Sequence, residues 1–116
     1  MAGFCWGGGQ AFRYAANDES LAAAFVFYGR PPTTEDIQRI GCPVYGFYGE
    51  NDQRINATIE NTRQAMKAAG KRYDPVIYPA VGHAFLRRGM AKDARDAQKA
   101  ATRHAWERFV MLLEER

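Results

Sequence analysis

The sequence predicts an α/β fold, a small parallel sheet of about three strands with helices on both faces. Three observations predict it. Short, almost unbroken apolar runs, Leu21–Tyr28 and Pro43–Gly49, have the length and composition of strands covered on both sides. Stretches with helical spacing lie between and after them, the clearest being Ile55, Ile59, Thr62, Met66 and Ala69. Strands that alternate with helices are joined by right-handed crossovers, which makes the strands parallel.

Taken in order, the chain opens on Gly3-Phe4-Cys5-Trp6-Gly7, the thiol form of a G-x-S-x-G turn that holds a nucleophile at a sharp bend between a strand and a helix. Glycines two before and two after the nucleophile let the two elements approach. A helix beginning just after Cys5 puts partial positive charge beside its sulfur and favours the thiolate. The residues from Gly8 to Ala16 read as that helix, with Asn17-Asp18-Glu19-Ser20 as its exit. Pro31-Pro32 breaks the chain after the first apolar run, and Thr33 with Asp36 marks the start of a short helix through Ile37 and Ile40. The second strand, Pro43–Gly49, opens into the polar loop Glu50–Arg54, and Gly70 stands where the following helix needs a left-handed residue. A third strand, Asp74–Pro79, empties into Ala80-Val81-Gly82-His83-Ala84-Phe85. The last helix is expected from Lys92 to Glu114, with Ala94, Ala97, Ala101, Ala105, Phe109 and Leu113 on one stripe and Trp106 and Val110 widening it.

Composition narrows the function. The 116 residues, 47% of them hydrophobic, suit a single domain spanning 1–116. A net charge of +3, with basic residues dispersed among acids, gives little support to nucleic-acid binding. Two cysteines, no Cys-x-x-Cys, no signal peptide and no apolar run able to cross a bilayer place the expected protein in the reducing cytoplasm, away from the membrane. Cys42 reads as a buried structural thiol. Gly7-Gly8-Gly9-Gln10 lacks the Gly-Lys-Ser/Thr ending of a phosphate loop, so nucleotide binding is not expected.

In a parallel sheet the chemistry collects at the carboxyl ends of the strands. Cys5 sits at the elbow, Asp52 three residues past Gly49, and His83 four residues past Pro79. Asp52 alone would serve as a helix cap and His83 alone as a loop residue. At successive strand ends, in the chain order nucleophile, acid, His, they match the α/β-hydrolase arrangement. His83 can move a proton near neutral pH, and Asp52 can fix its tautomer and stabilise the imidazolium. Backbone N–H groups, one of them from Trp6, would hold the oxyanion, a donor of this kind being worth about 3 kcal/mol.

Three motifs carry a family resemblance: Gly3-Phe4-Cys5-Trp6-Gly7-Gly8, Tyr45-Gly46-Phe47-Tyr48-Gly49-Glu50-Asn51-Asp52 and Gly82-His83-Ala84-Phe85. Together they resemble the nucleophile, acid and histidine motifs of the dienelactone hydrolase family. The resemblance implies a partial α/β-hydrolase fold and hydrolysis of a small enol-lactone or related ester through an acyl-thiol intermediate, with no metal or organic cofactor. Members also hold the substrate carboxylate with arginines, one shortly after the histidine, and Arg87 stands in that place; an ordinary exposed arginine beside Arg88 is the alternative. Tyr28, at the end of the first apolar run, is a candidate to line the pocket.

The resemblance covers only the carboxyl half of the family. The strands before the nucleophile, a second oxyanion donor, a second carboxylate-binding arginine and an acidic residue beside the thiol belong to the other half. The strand around Ala23–Tyr28 is therefore expected to lack an outer neighbour, and a homodimer through that exposed sheet edge is expected to cover it. Three readings follow: a small thiol hydrolase, a catalytically silent homo-oligomeric or binding module derived from one, or half of a split hydrolase.

Overall fold

Four parallel strands form one sheet in chain order: β1 (Ala2–Phe4), β2 (Ala24–Phe27), β3 (Val44–Gly49) and β4 (Tyr73–Tyr78). This is a computed structural model; it describes residues 2–4, 6–18 and 21–114, with Trp6 and Arg87 described by their backbone only. The helices are α1 (Trp6–Asn17), α2 (Thr34–Ile37), α3 (Gln53–Ala68), α4 (Phe85–Gly89) and α5 (Asp96–Glu114). The expected parallel α/β architecture is present, with one strand more than expected. Ala2–Phe4 is too short, and centred on a glycine, to show a strand pattern in sequence, but it aligns Ala2 with Phe25, Gly3 with Val26 and Phe4 with Phe27. β2 therefore has an outer neighbour after all, and the open edge on that side of the sheet belongs to β1.

Side-chain alternation along the strands builds two apolar layers. Ala24, Val26 and Val44 face α1, α2 and α3, packing with Phe12, Ala15, Ile37, Ile40, Met66 and the buried thiol of Cys42. Phe25, Phe27, Tyr45 and Phe47 face α4 and α5, packing with Phe85, Leu86, Ala101, Ala105 and Leu112. The second layer is an aromatic stack, in which Phe27 and Phe47 lie 4.3 Å apart and nearly parallel while Phe109 meets Phe27 edge-on. Each such ring removed from water contributes about 2–3 kcal/mol.

The helices follow their signals with two shifts. Thr33 caps α2 by accepting from the Asp36 N–H, and Gly70 takes φ of +73° after α3, where Lys71 N–H donates back to Met66 O. The last helix starts at Asp96 instead of Lys92, because Phe85–Gly89 forms a separate helix before it. Its buried stripe is Gln98, Ala101, Ala105 and Leu112, whereas Trp106, Val110 and Leu113 are exposed. Phe109 of the expected strip reaches the aromatic layer while Leu113 drifts off the sheet, because the buried line returns by three residues as well as by four. Arg108 adds a polar tie on this face, its guanidinium donating to Gly46 O and Asp74 O at 2.8 Å and lying 4.4 Å above the Phe47 ring.

At the β4 edge, Val44 N–H donates to Arg72 O and Glu50 N–H to Tyr78 O, so the even-numbered residues of β4 turn their backbone groups toward β3. Pro75 falls on the outward side of that alternation. A missing N–H there costs no ladder bond and discourages another strand from adding. Among the described residues no helix is long and apolar enough to cross a membrane.

Under α3, the Tyr48 and Tyr73 hydroxyls meet at 2.6 Å. Burial is the main cause that pushes the Tyr73 phenol up to about 12 and the Tyr48 phenol well above its ordinary value. A phenol that holds its proton more tightly in the folded state contributes stability fully present below pH 10 and lost as the pH rises toward 12. Urea unfolding at pH 8 and pH 11 should show a loss of at least about 1 kcal/mol at the higher pH. The double substitution Tyr48→Phe/Tyr73→Phe should remove most of that loss; an unchanged alkaline decline would mean that other groups control it.

Candidate active site

The carboxyl ends of β3 and β4 are tied together by their backbones. Asn51 N–H donates to Val81 O at 2.8 Å, and Ala80 N–H donates to the Glu50 carboxylate at 3.1 Å. Gly49 lies so close beneath the following loop that a Cβ there would stand 2.5 Å from Gly82 O. Asn56, in the first turn of α3, donates through Nδ2 to Gly49 O and Glu50 O, anchoring the loop from the helix side. Ala80 and Ala84 adopt φ of +60° and +58°, conformations that cost non-glycine residues and that the surrounding bonds hold in place. These ties bring position 52 to position 83.

Asp52 is the residue ahead of α3, yet its carboxylate makes no capping bond to the helix. It turns instead to His83, with Oδ2 at 2.5 Å from Nδ1. An ionised carboxylate can only accept, so Nδ1 carries the hydrogen of this bond, and in the neutral imidazole the lone pair is then on Nε2. Burial is unequal: the Asp52 side chain is 8% exposed and the His83 ring 40%. The acid is held inside the protein while the base faces outward, the geometry a proton-transferring pair needs.

Tyr28 closes this site from β2. Its N–H continues the ladder to Phe47 O at 2.7 Å, but its φ is +43°, a left-handed conformation unusual for so large a residue. The buried Tyr28 ring stands edge-on to His83, 5.2 Å between centroids, and against Phe85 at 5.6 Å. Tyr28, Asp52 and His83 line a cavity of about 520 Å³ over the strand ends, walled by α1, the loop after β2 and the start of α3. That volume accommodates a small molecule.

The structure brings together three of the residues singled out in the sequence: Tyr28, Asp52 and His83. Cys5 lies outside the described residues. Its flanks are β1, ending at Phe4, and α1, beginning at Trp6, the strand and helix that a nucleophile turn requires. Trp6 is the first residue of α1, one of the four whose N–H groups have no acceptor within the helix. Arg87 belongs to α4, on the face of the sheet opposite α1–α3, and its side chain is outside the described set. Gly3 is needed at the turn because a Cβ there would run into the Gly7 carbonyl, while a Cβ on Gly7 would meet nothing within 4 Å among the described residues. The second intimate contact is made by Gly8, whose Cβ would stand 2.7 Å from Phe27 O.

The model of the dienelactone hydrolase family matches residues 1–116. The chain belongs to the dienelactone hydrolase family. A protein of Methylorubrum extorquens provisionally named carboxymethylenebutenolidase is 41% identical over 96 residues, covering 73% of this chain and 33% of the relative. One of Saccharolobus solfataricus with the same provisional name is 40% identical over 113 residues, covering 96% of this chain and 42% of the relative. A crystal structure provisionally named dienelactone hydrolase, from Klebsiella pneumoniae subsp. pneumoniae, superposes with a TM-score of 0.81 at 30% identity, covering 95% of this chain and 49% of that one. The chain thus spans about half the length, or less, of these dienelactone hydrolase relatives.

No sequence motif marks the arginines that line the cavity. Arg13, Arg30 and Arg54 line it, and two of them had a positional signal: Arg30 follows Tyr28 by two residues and Arg54 follows Asp52 by two. Asn56 was missed as well, since a polar residue on an exposed helix turn gives no sign of the carbonyls it will meet. The Asp52–His83 bond should appear in proton NMR as a downfield, exchange-protected Nδ1 proton. Asp52→Ala should abolish that resonance and cost about 1–2 kcal/mol of stability, whereas Gln53→Ala, one residue along, should leave both unchanged.

Proposed function

We propose that the chain hydrolyses a small lactone or activated ester through a thiol nucleophile. The observation that supports this reading is the buried Asp52 carboxylate on Nδ1 of an outward-facing His83, at a cavity walled by α1, the loop after β2 and the start of α3. In the proposed cycle the Cys5 thiol gives its proton to His83 Nε2 and Sγ attacks the acyl carbon. The Trp6 N–H receives the oxyanion, and Asp52 offsets the charge on the imidazolium. Collapse breaks the bond from the acyl carbon to the ester oxygen, which takes the proton from His83. Water then attacks the thioester, His83 accepts its proton and returns it to sulfur, and the acid is released. Arg87 holds a substrate carboxylate, and Tyr28 packs against the bound molecule beside His83. Every step uses groups of this chain and water.

A second reading has its own support. The chain spans 33–49% of the relatives described above, and Phe4 on the open β1 edge is 42% exposed. On this reading the triad is inherited by a half-hydrolase or a silent module, and a second copy covers the open edge in a homodimer. Hydrolysis of a dienelactone and of a simple aryl ester, measured beside Cys5→Ala and His83→Ala, separates the two. Loss of at least about a hundredfold in both variants is the expected result, and equal rates in all three proteins would leave the silent module. Sedimentation of the same samples should show a dimer; a stable monomer at micromolar concentration would remove the edge-pairing proposal.

A further inference from the structure

The cavity beside His83 carries an excess of positive charge that the hydrolytic reading leaves unused. Arg13 comes from α1, Arg30 from the loop after β2 and Arg54 from the first turn of α3. Arg13 and Arg30 are brought near each other because Gly9, one helical turn before Arg13 on the same face of α1, packs against the backbone of Arg30, and Arg54 lines the same cavity. Among the described residues that line the cavity Asp52 is the one acid, and it is engaged by His83. Arg39, Arg63 and Arg72 pair with acids, whereas among the described residues none of the three cavity arginines does.

Arg13, Arg30 and Arg54 are exposed residues around one cavity, and positive charge gathered there favours an oxyanion, whose geometry the planar guanidinium fork matches with paired hydrogen bonds. We propose that Arg13, Arg30 and Arg54 form an oxyanion subsite that holds an acidic group of the ligand, a carboxylate or a phosphate, over α1–α3. This subsite is separate from Arg87, which sits on α4 across the sheet. The ester belongs to the hydrolytic reading, but the anion subsite does not depend on turnover.

The test is therefore a binding measurement made in the Cys5→Ala protein. Glutarate, inorganic phosphate and neutral dimethyl glutarate are titrated at low ionic strength and followed by backbone amide NMR. Saturable shifts at Gly9, Tyr28 and Arg54 are expected with the anions and not with the neutral diester. Each of Arg13→Gln, Arg30→Gln and Arg54→Gln should weaken binding at least about fivefold, and the triple substitution should abolish it. Added potassium chloride should weaken it too. Arg88→Gln, an exposed arginine outside the cavity wall, should leave affinity unchanged, and retained thermal melts certify that the variants are folded. Tighter phosphate binding supports a phosphoryl group, and tighter glutarate binding supports a carboxylate. Absence of saturable anion binding, or equal affinity in the triple variant, would overturn the subsite whatever the hydrolysis assay shows.

Discussion

A Cβ on Gly29 would collide with the backbone of Gly8 and Gly9, and α1 lies against the end of β2 only because these positions are glycine. Much of the site geometry depends on that contact. It sets the height of α1 above the sheet. It places Arg30 beside Gly9. The preceding residue, Tyr28, leaves β2 with a positive φ, which brings its ring against His83 and Phe85. A strained backbone at a large aromatic residue persists only where surrounding packing over-determines it. Here the ladder bond to Phe47 O and burial among aromatic rings supply that support.

The other half of the site is built by cross-bonding between neighbouring strand ends. The loops after β3 and β4 exchange backbone and carboxylate bonds, and Asn56 fastens them to α3. Asp52 is thereby withdrawn from capping the helix and committed to His83. Dienelactone hydrolase relatives carry these elements within chains about twice as long or longer. In this chain, the acid–histidine pair and the walls of a cavity form within one sheet of four strands.

The regular elements were legible where burial on both faces left a pattern. Leu21–Tyr28 and Pro43–Gly49 contain β2 and β3 because a parallel strand between helix layers must be apolar on both sides. β1 was not legible, since three residues with a central glycine carry no period and owe their strand conformation to the hydrogen bonds of β2. The inward stripe of α5 was only half legible, because alanines and aromatics lie around much of the helix and the sheet alone selects which side is covered. Arg108 illustrates the same limit, as an arginine on a helix gives no hint that two strand carbonyls await it.

The candidate site divides along similar lines. Residue types and their places at successive strand ends pointed to Cys5, Asp52 and His83, since nucleophile, acid and base chemistry can be read from side chains and spacing. The sequence by itself also determined the family, through three local motifs whose residues are set by turn geometry and reactivity. Only the tertiary structure decided that the Asp52 carboxylate reaches His83 instead of capping α3, that Tyr28 stands against the imidazole, and that three arginines from separate elements line one cavity. Those facts depend on distances between segments far apart in the chain, which packing fixes and local pattern does not encode.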